Sequence, residues 1–165
     1  MILVAHGIVG AAVGSFFPQN PLLAFFAGFL SHFVFDAIPH WHYRIRSISL
    51  KADSPREVFK VGWELILDAF KISLDFFLGF LLAAMIFTKG NYSDYSVFAG
   101  ALGGVFPDGL LLLSSVWRNK ILILFRKFHF FVHTGIYLDS RPVFGPLSQA
   151  AVVLAVVFIS KIMAM

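Results

Sequence analysis

In the stretch GFLSHFVFDAIPHWHYRIR, residues 28–46, an apolar run carries His32 and Asp36 and then ends in Pro39, His40, Trp41 and His42. The i, i+4 spacing puts an imidazole and a carboxylate on one helix face, with Cβ atoms about 5–6 Å apart. Other apolar runs hold similar groups: His6 near the N-terminus, Asp68 and Asp75 in the middle, Asp108 within FPDG, and the i, i+4 pair His129 and His133. Ionisable groups in hydrocarbon are costly and mark sites of function. Carboxylates and imidazoles converging in a dry bundle repel or neutralise one another unless a cation lies among them. The chemistry expected is divalent-metal binding. The chain has no cysteine, so only imidazole and oxygen ligands remain, a set suited to zinc, with manganese or iron as alternatives.

The ligands expected are His6, His32, Asp36, Asp68 and Asp108. His129 and His133 are expected to act as general acid and base, or as further ligands. His40 and His42, with Arg44 and Arg126, are expected to meet a substrate phosphate. Each group also has a plain structural reading. Glu64, Asp68, Lys71 and Asp75 follow steps of four, three and four and can form an ion-pair ladder. Asp108 can cap a helical turn, and His40 and His42 can belong to an interfacial belt around Trp41.

The elements that must position these residues are membrane helices. Hydrophobic residues make up 59% of the 165 positions and charged residues only 13%, against about 25% charged in soluble chains; the mean hydropathy is +0.84. The expected fold is all-α: a single integral-membrane helical domain over residues 1–165. About five spans are expected, at 2–17, 21–38, 61–88, 95–116 and 143–163, the last following Pro142. The segment 118–135 is too charged to span and reads as an interfacial helix. The N-terminal run lacks the basic start of a signal peptide and reads as a retained helix. FAGFLSHFVFD at 26–36 and FAGALGGVFPD at 98–108 match in register, 72 residues apart, which suggests a helical-hairpin repeat with Asp36 and Asp108 as counterparts.

The net charge of +4 is no nucleic-acid footprint, because the cations sit in short connections. Arg44, Arg46, Lys51, Arg56 and Lys60 lie in one loop; Arg118, Lys120, Arg126, Lys127 and Arg141 lie in another segment. The 18–20 connection has no charge, and Lys89 faces Asp94 in the remaining loop. The positive-inside rule then puts the N-terminus and both basic segments in the cytoplasm, in contact with membrane lipids.

An early histidine, a Gly-rich hairpin closing in an acidic turn and a later histidine pair together resemble the YdjM-like family of bacterial inner-membrane proteins. His6 matches that family's early Thr-His histidine, with Ala5 in place of the threonine. Gly28, Asp36 and His40, and again Gly104, Pro107 and Asp108, echo its G-x-L-x-P-D-x-D-H turn. FHFFVHTG resembles its H-R-x-x-x-H-S segment through His129, His133 and Thr134, with Phe130 where arginine is expected. The resemblance implies a membrane-bound metal-dependent hydrolase. Together with the residues, it points to hydrolysis of a lipid or amphiphilic phosphoester at the cytoplasmic interface. An ion or proton relay along the Glu64–Asp75 stripe is the alternative, and a structural or partner-binding membrane protein is a third.

Overall fold

The computed structural model describes residues 1–48, 60–88, 95–117, 119–141 and 143–163. Within them the chain forms α1 (Leu3–Gly14), α2 (Pro21–Asp36), α3 (Trp63–Phe87), α4 (Tyr95–Val116), α5 (Lys120–Val132) and α6 (Phe144–Met163). Lys51, Arg56, Lys89, Asp94, Arg118 and Pro142, which entered the loop-charge and helix-start expectations, lie outside the described residues.

Helix starts follow from local chemistry. The Asn20 side chain accepts the Leu23 amide at 3.0 Å, and Pro21 takes the first helical position, where no amide is needed. Asn119 caps α5 in the same way through Leu122, at 2.9 Å. α1 has no local cap. Its first amides, on Leu3 and Val4, instead donate to the carboxylate of Asp75 on α3, at 2.7 and 3.0 Å. A carboxylate at the positive end of a helix is favourable, and it satisfies donors that the helix cannot.

The helices are apolar outside and polar or small inside. α3 exposes Phe70, Leu74, Phe77 and Leu81 and buries Asp68, Gly79 and Ala83. α5 exposes Ile121, Leu124 and Phe131 and buries Leu122, Arg126 and His129. Such an inversion suits a hydrocarbon surround, where helices associate by close packing and hydrogen bonds rather than by hiding leucines from water. α3, α4 and α6 are long and apolar enough to cross a membrane; α1 and α2 are apolar but shorter. The 12 residues of α1 rise about 18 Å, well under the ~30 Å of a hydrocarbon core. Five full-length spans therefore become three long helices and a short hairpin. The turn that follows Gly14 takes up Phe16 and Phe17, which the sequence reading had counted as helix.

α1 packs against α2, α3, α4 and α6, with most of its residues buried. Backbones meet closely where α1 and α2 cross α4. A Cβ on Gly10 or Gly28 would collide with the Gly100 carbonyl oxygen, and one on Gly104 with that of His6. The register of α2 against α4 is that of the sequence repeat: Gly28 meets Gly100 and His32 meets Gly104, each pair 72 residues apart. This brings Asp36 and Asp108 to the same end. Just before Asp108, Pro107 removes one intrahelical hydrogen bond from α4.

Two connections close over that end. The chain after α5 runs beside the chain after α2: the Thr134 amide donates to the Asp36 carbonyl at 2.8 Å and the Leu138 amide to that of His40 at 3.0 Å. His40 and Tyr137 form an isolated parallel bridge. From α6, the Gln149 side chain donates to the Trp41 carbonyl at 2.6 Å and accepts the Ile2 amide at 3.1 Å.

Candidate metal centre

Asp36 is the last residue of α2 and is almost fully buried. Imidazoles surround its carboxylate. His6 Nε2 lies 3.0 Å from Oδ1 and His32 Nε2 3.0 Å from Oδ2. His129 follows at 3.4 Å, His40 at 3.6 Å and His133 at 3.9 Å. The Met1 amino group adds a donor to Oδ1 at 2.9 Å. The packing of α1, α2, α5 and the two connections thus gathers, around one carboxylate, residues spread over 130 positions of sequence.

Two groups of ligand atoms can be distinguished. The first joins His32 and Asp36 of α2, Asp108 of α4 and His129 of α5, with all four ligand atoms within 4.8 Å of one another. Here His32 Nε2 is 3.1 Å from His129 Nε2 and 3.8 Å from Asp108 Oδ1, and His129 Nε2 is 3.7 Å from the same oxygen. Two carboxylates and two imidazoles suit a divalent cation. Three of the four are buried, while the Asp108 side chain retains 26% of its exposure. The Nδ1–H of His32 donates to the Gly104 carbonyl at 2.8 Å, which leaves Nε2 as a lone pair aimed at its neighbours, the usual outer-shell arrangement of a ligating histidine.

The second group consists of His40, His42 and His133. Their Nε2 atoms converge: His40 to His42 at 2.8 Å, and His133 to His42 at 3.3 Å. Burial pushes His40 and His42 down to about 3, helped by the nearby Met1 ammonium, and burial pushes His129 down to about 4. The shift of these three rings, His40, His42 and His129, is toward the neutral form, the state in which imidazole binds metal.

Several expected roles change. Asp68, expected as a ligand, is in neither group; its Oδ2 accepts the Arg46 and Ser47 amides, both at 2.7 Å, and Lys71 reaches Oδ1 at 3.1 Å. The carboxylate is spent on pinning the loop after α2 to α3. Asp75 is likewise engaged by α1, so both Asp68 and Asp75 of the Glu64–Asp75 stripe accept backbone amides. His6 stands behind the first group, hydrogen-bonded to Asp36 and stacked on His32 with centroids 3.9 Å apart. His129 joins the first group and His133 the second, the further-ligand alternative to the expected acid–base role. His40 and His42, expected at a substrate phosphate, lie with His133 in the second group. Arg126, also expected at the phosphate, is buried, with Nη1 3.5 Å from the Ser114 and Ser115 hydroxyls and its guanidinium over Phe130. Arg44 is exposed on the histidine loop.

The sequence reading passed over Asp139. Its Oδ1 accepts the His42 amide at 2.8 Å and lies 3.4 Å from His42 Nδ1. Only its acidity within a basic segment hinted at this. A cavity of about 760 Å³ lies beside both groups, lined by Asp36, Asp108, His129, His42 and His133 and by the apolar Ile72, Phe76, Phe77, Leu102 and Leu112 of α3 and α4. No family model, curated protein or solved structure matches the chain.

Proposed function

We propose that this protein is a membrane-bound, metal-dependent hydrolase acting on a phosphoester of a lipid or similar amphiphile. The observation that carries this reading is that Asp36, Asp108 and His129 of the first ligand group line a largely apolar cavity. A site that joins charge-binding ligands to a greasy slot fits a substrate with a polar head and an apolar tail. Phe77 and Leu102 line the slot and are also well exposed, so a tail enters sideways from the hydrocarbon.

A divalent ion held by the four ligands would polarise the phosphoryl group and supply ionised water near neutral pH. The chain's own residues do the rest. His6 and Gly104 fix Asp36 and the His32 ring. Asp108, the most accessible ligand, faces the cavity where the head group arrives. Arg44 contributes positive charge beside an anionic head group.

The centre lies at the end of the bundle that carries Arg44, Arg46, Lys60, Lys120, Lys127 and Arg141, whereas the α1–α2 turn at 15–20 has no charged residue. By the positive-inside rule this end faces the cytoplasm, which suits a bacterial inner membrane and agrees with the YdjM-like resemblance.

The test is metal content and phosphate release, measured together on full-length protein in detergent, with phosphatidic acid in mixed micelles as probe. Bound zinc and zinc-dependent release, both lost in Asp36→Ala, are expected. Protein that stays metal-free when purified without chelators and loaded with Zn2+ would overturn the reading.

A further inference from the structure

We propose that His40, His42 and His133 hold a second divalent cation, joined to the first through the Asp36 carboxylate, so that the centre is dinuclear.

The argument starts from the ring protons. A neutral imidazole has one N–H and one lone pair, and a carbonyl or carboxylate oxygen can only accept. His40 Nδ1 lies 2.6 Å from the Ile38 carbonyl and His133 Nδ1 2.9 Å from that of Thr134. His42 Nδ1 faces Asp139 Oδ1 at 3.4 Å. Each Nδ1 therefore carries the proton, and each Nε2 presents a lone pair. In the neutral rings those lone pairs point at one another across 2.8 and 3.3 Å. Three acceptors facing each other, His40 buried and His42 and His133 partly so, are unfavourable unless a cation sits between them.

The second observation is the outer shell. A ligating histidine almost always gives its other N–H to a carboxylate or backbone carbonyl, and here all three rings do so. Zinc bonds of about 2.0–2.1 Å at tetrahedral angles place ligand nitrogens roughly 3.4 Å apart, close to the spacing found. Three imidazoles leave one position of a four-coordinate ion, and Asp36 is at hand: Oδ1 is 3.6 Å from His40 Nε2 and Oδ2 is 3.9 Å from His133 Nε2. Since Oδ2 also faces His32 and His129, one carboxylate serves both groups. The nitrogen-rich group favours zinc, and the carboxylate-rich group accepts harder ions as well.

The Met1 ammonium reaches His42 Nε2 at 3.4 Å, which accounts for one of the three lone pairs. A proton shared between His40 and His42 is the rival account, and it predicts a single metal.

The proposal relies on the hydrolase reading only for the bridge, and the experiment separates the two. Full-length protein in detergent is stripped with chelator, dialysed against Zn2+ and assayed for metal per chain. Two ions are expected in the wild type and one each in His42→Ala, His133→Ala and His32→Ala; a retained ion also demonstrates that the variant is folded. One ion in the wild type, unchanged by His42→Ala and His133→Ala, overturns the second site alone. None overturns the hydrolase reading too. Should the variants fail to fold, the wild type loaded with Co2+, a zinc surrogate that imidazole also binds, decides by electron paramagnetic resonance: an exchange-coupled spectrum supports the shared carboxylate, and isolated-ion spectra overturn it.

Discussion

The Gly104 carbonyl oxygen accepts the Nδ1–H of His32 at 2.8 Å and thereby turns the opposite nitrogen toward Asp36, Asp108 and His129. One backbone atom of α4 fixes both the tautomer and the aim of a ligand on α2. The contact exists because Gly104 lets α4 approach α1 closely, its Cα hydrogen standing where a side chain would strike the His6 carbonyl oxygen.

Gly104→Ala should therefore separate α4 from α1 and misdirect His32. Overpacking of this kind costs about 1–3 kcal/mol, and the same variant should bind zinc more weakly. Gly109→Ala is the control, because a Cβ there meets nothing within 4 Å. Replacing a mid-helix glycine with alanine there should be neutral or gain roughly 0.5–1 kcal/mol. Thermal unfolding in detergent, run on both variants, checks the contrast.

His6→Phe tests the support behind Asp36. The phenyl ring keeps the stacking face against His32 but cannot donate to Oδ1, a bond of 3.0 Å in the native protein. Loss of an outer-shell partner typically weakens metal binding by about 10–100-fold. Competition against a calibrated chelator should show a loss in that range, whereas Asp36→Ala should bind no zinc. An unchanged affinity in His6→Phe would make His6 a packing residue.

The helices were legible because long apolar runs separated by charged or proline-bearing connections mark them. Their depth was not, since Phe16 and Phe17 are apolar yet belong to the turn. His32 and Asp36 were legible as a pair because both stay on α2. His129 and His133 share the same spacing but part company: α5 ends at Val132, and His133 adopts extended backbone, with φ −61° and ψ 138°. That change of backbone sends one ring to each ligand group, and no spacing rule anticipates it. Asp68 illustrates the converse. Its place on the acidic stripe was visible, but its partners are amides of a loop 21 and 22 residues away, which only the folded chain brings near.

Asp68→Ala should accordingly affect stability without touching the centre. The buried Ser47 amide and the partly buried Arg46 amide lose a charged acceptor, and leaving a buried donor unpaired costs about 1–3 kcal/mol. The expected result is a lower unfolding temperature with unchanged zinc per chain. Metal loss in a variant that remains folded would return Asp68 to the ligand set.

The cavity makes the last prediction. Ile72 lines it from α3, a helix that carries none of the candidate ligands. Ile72→Trp fills space that a long apolar tail would occupy and leaves every ligand in place. Hydrolysis of a long-chain phosphoester should fall, chiefly through a raised KM, while turnover of a short-chain analogue and zinc content stay near wild type. Uniform binding energy from a remote part of the substrate is what such a substitution removes. Equal losses for long and short substrates would mean that the tail lies elsewhere and that the slot between α3 and α4 is only packing.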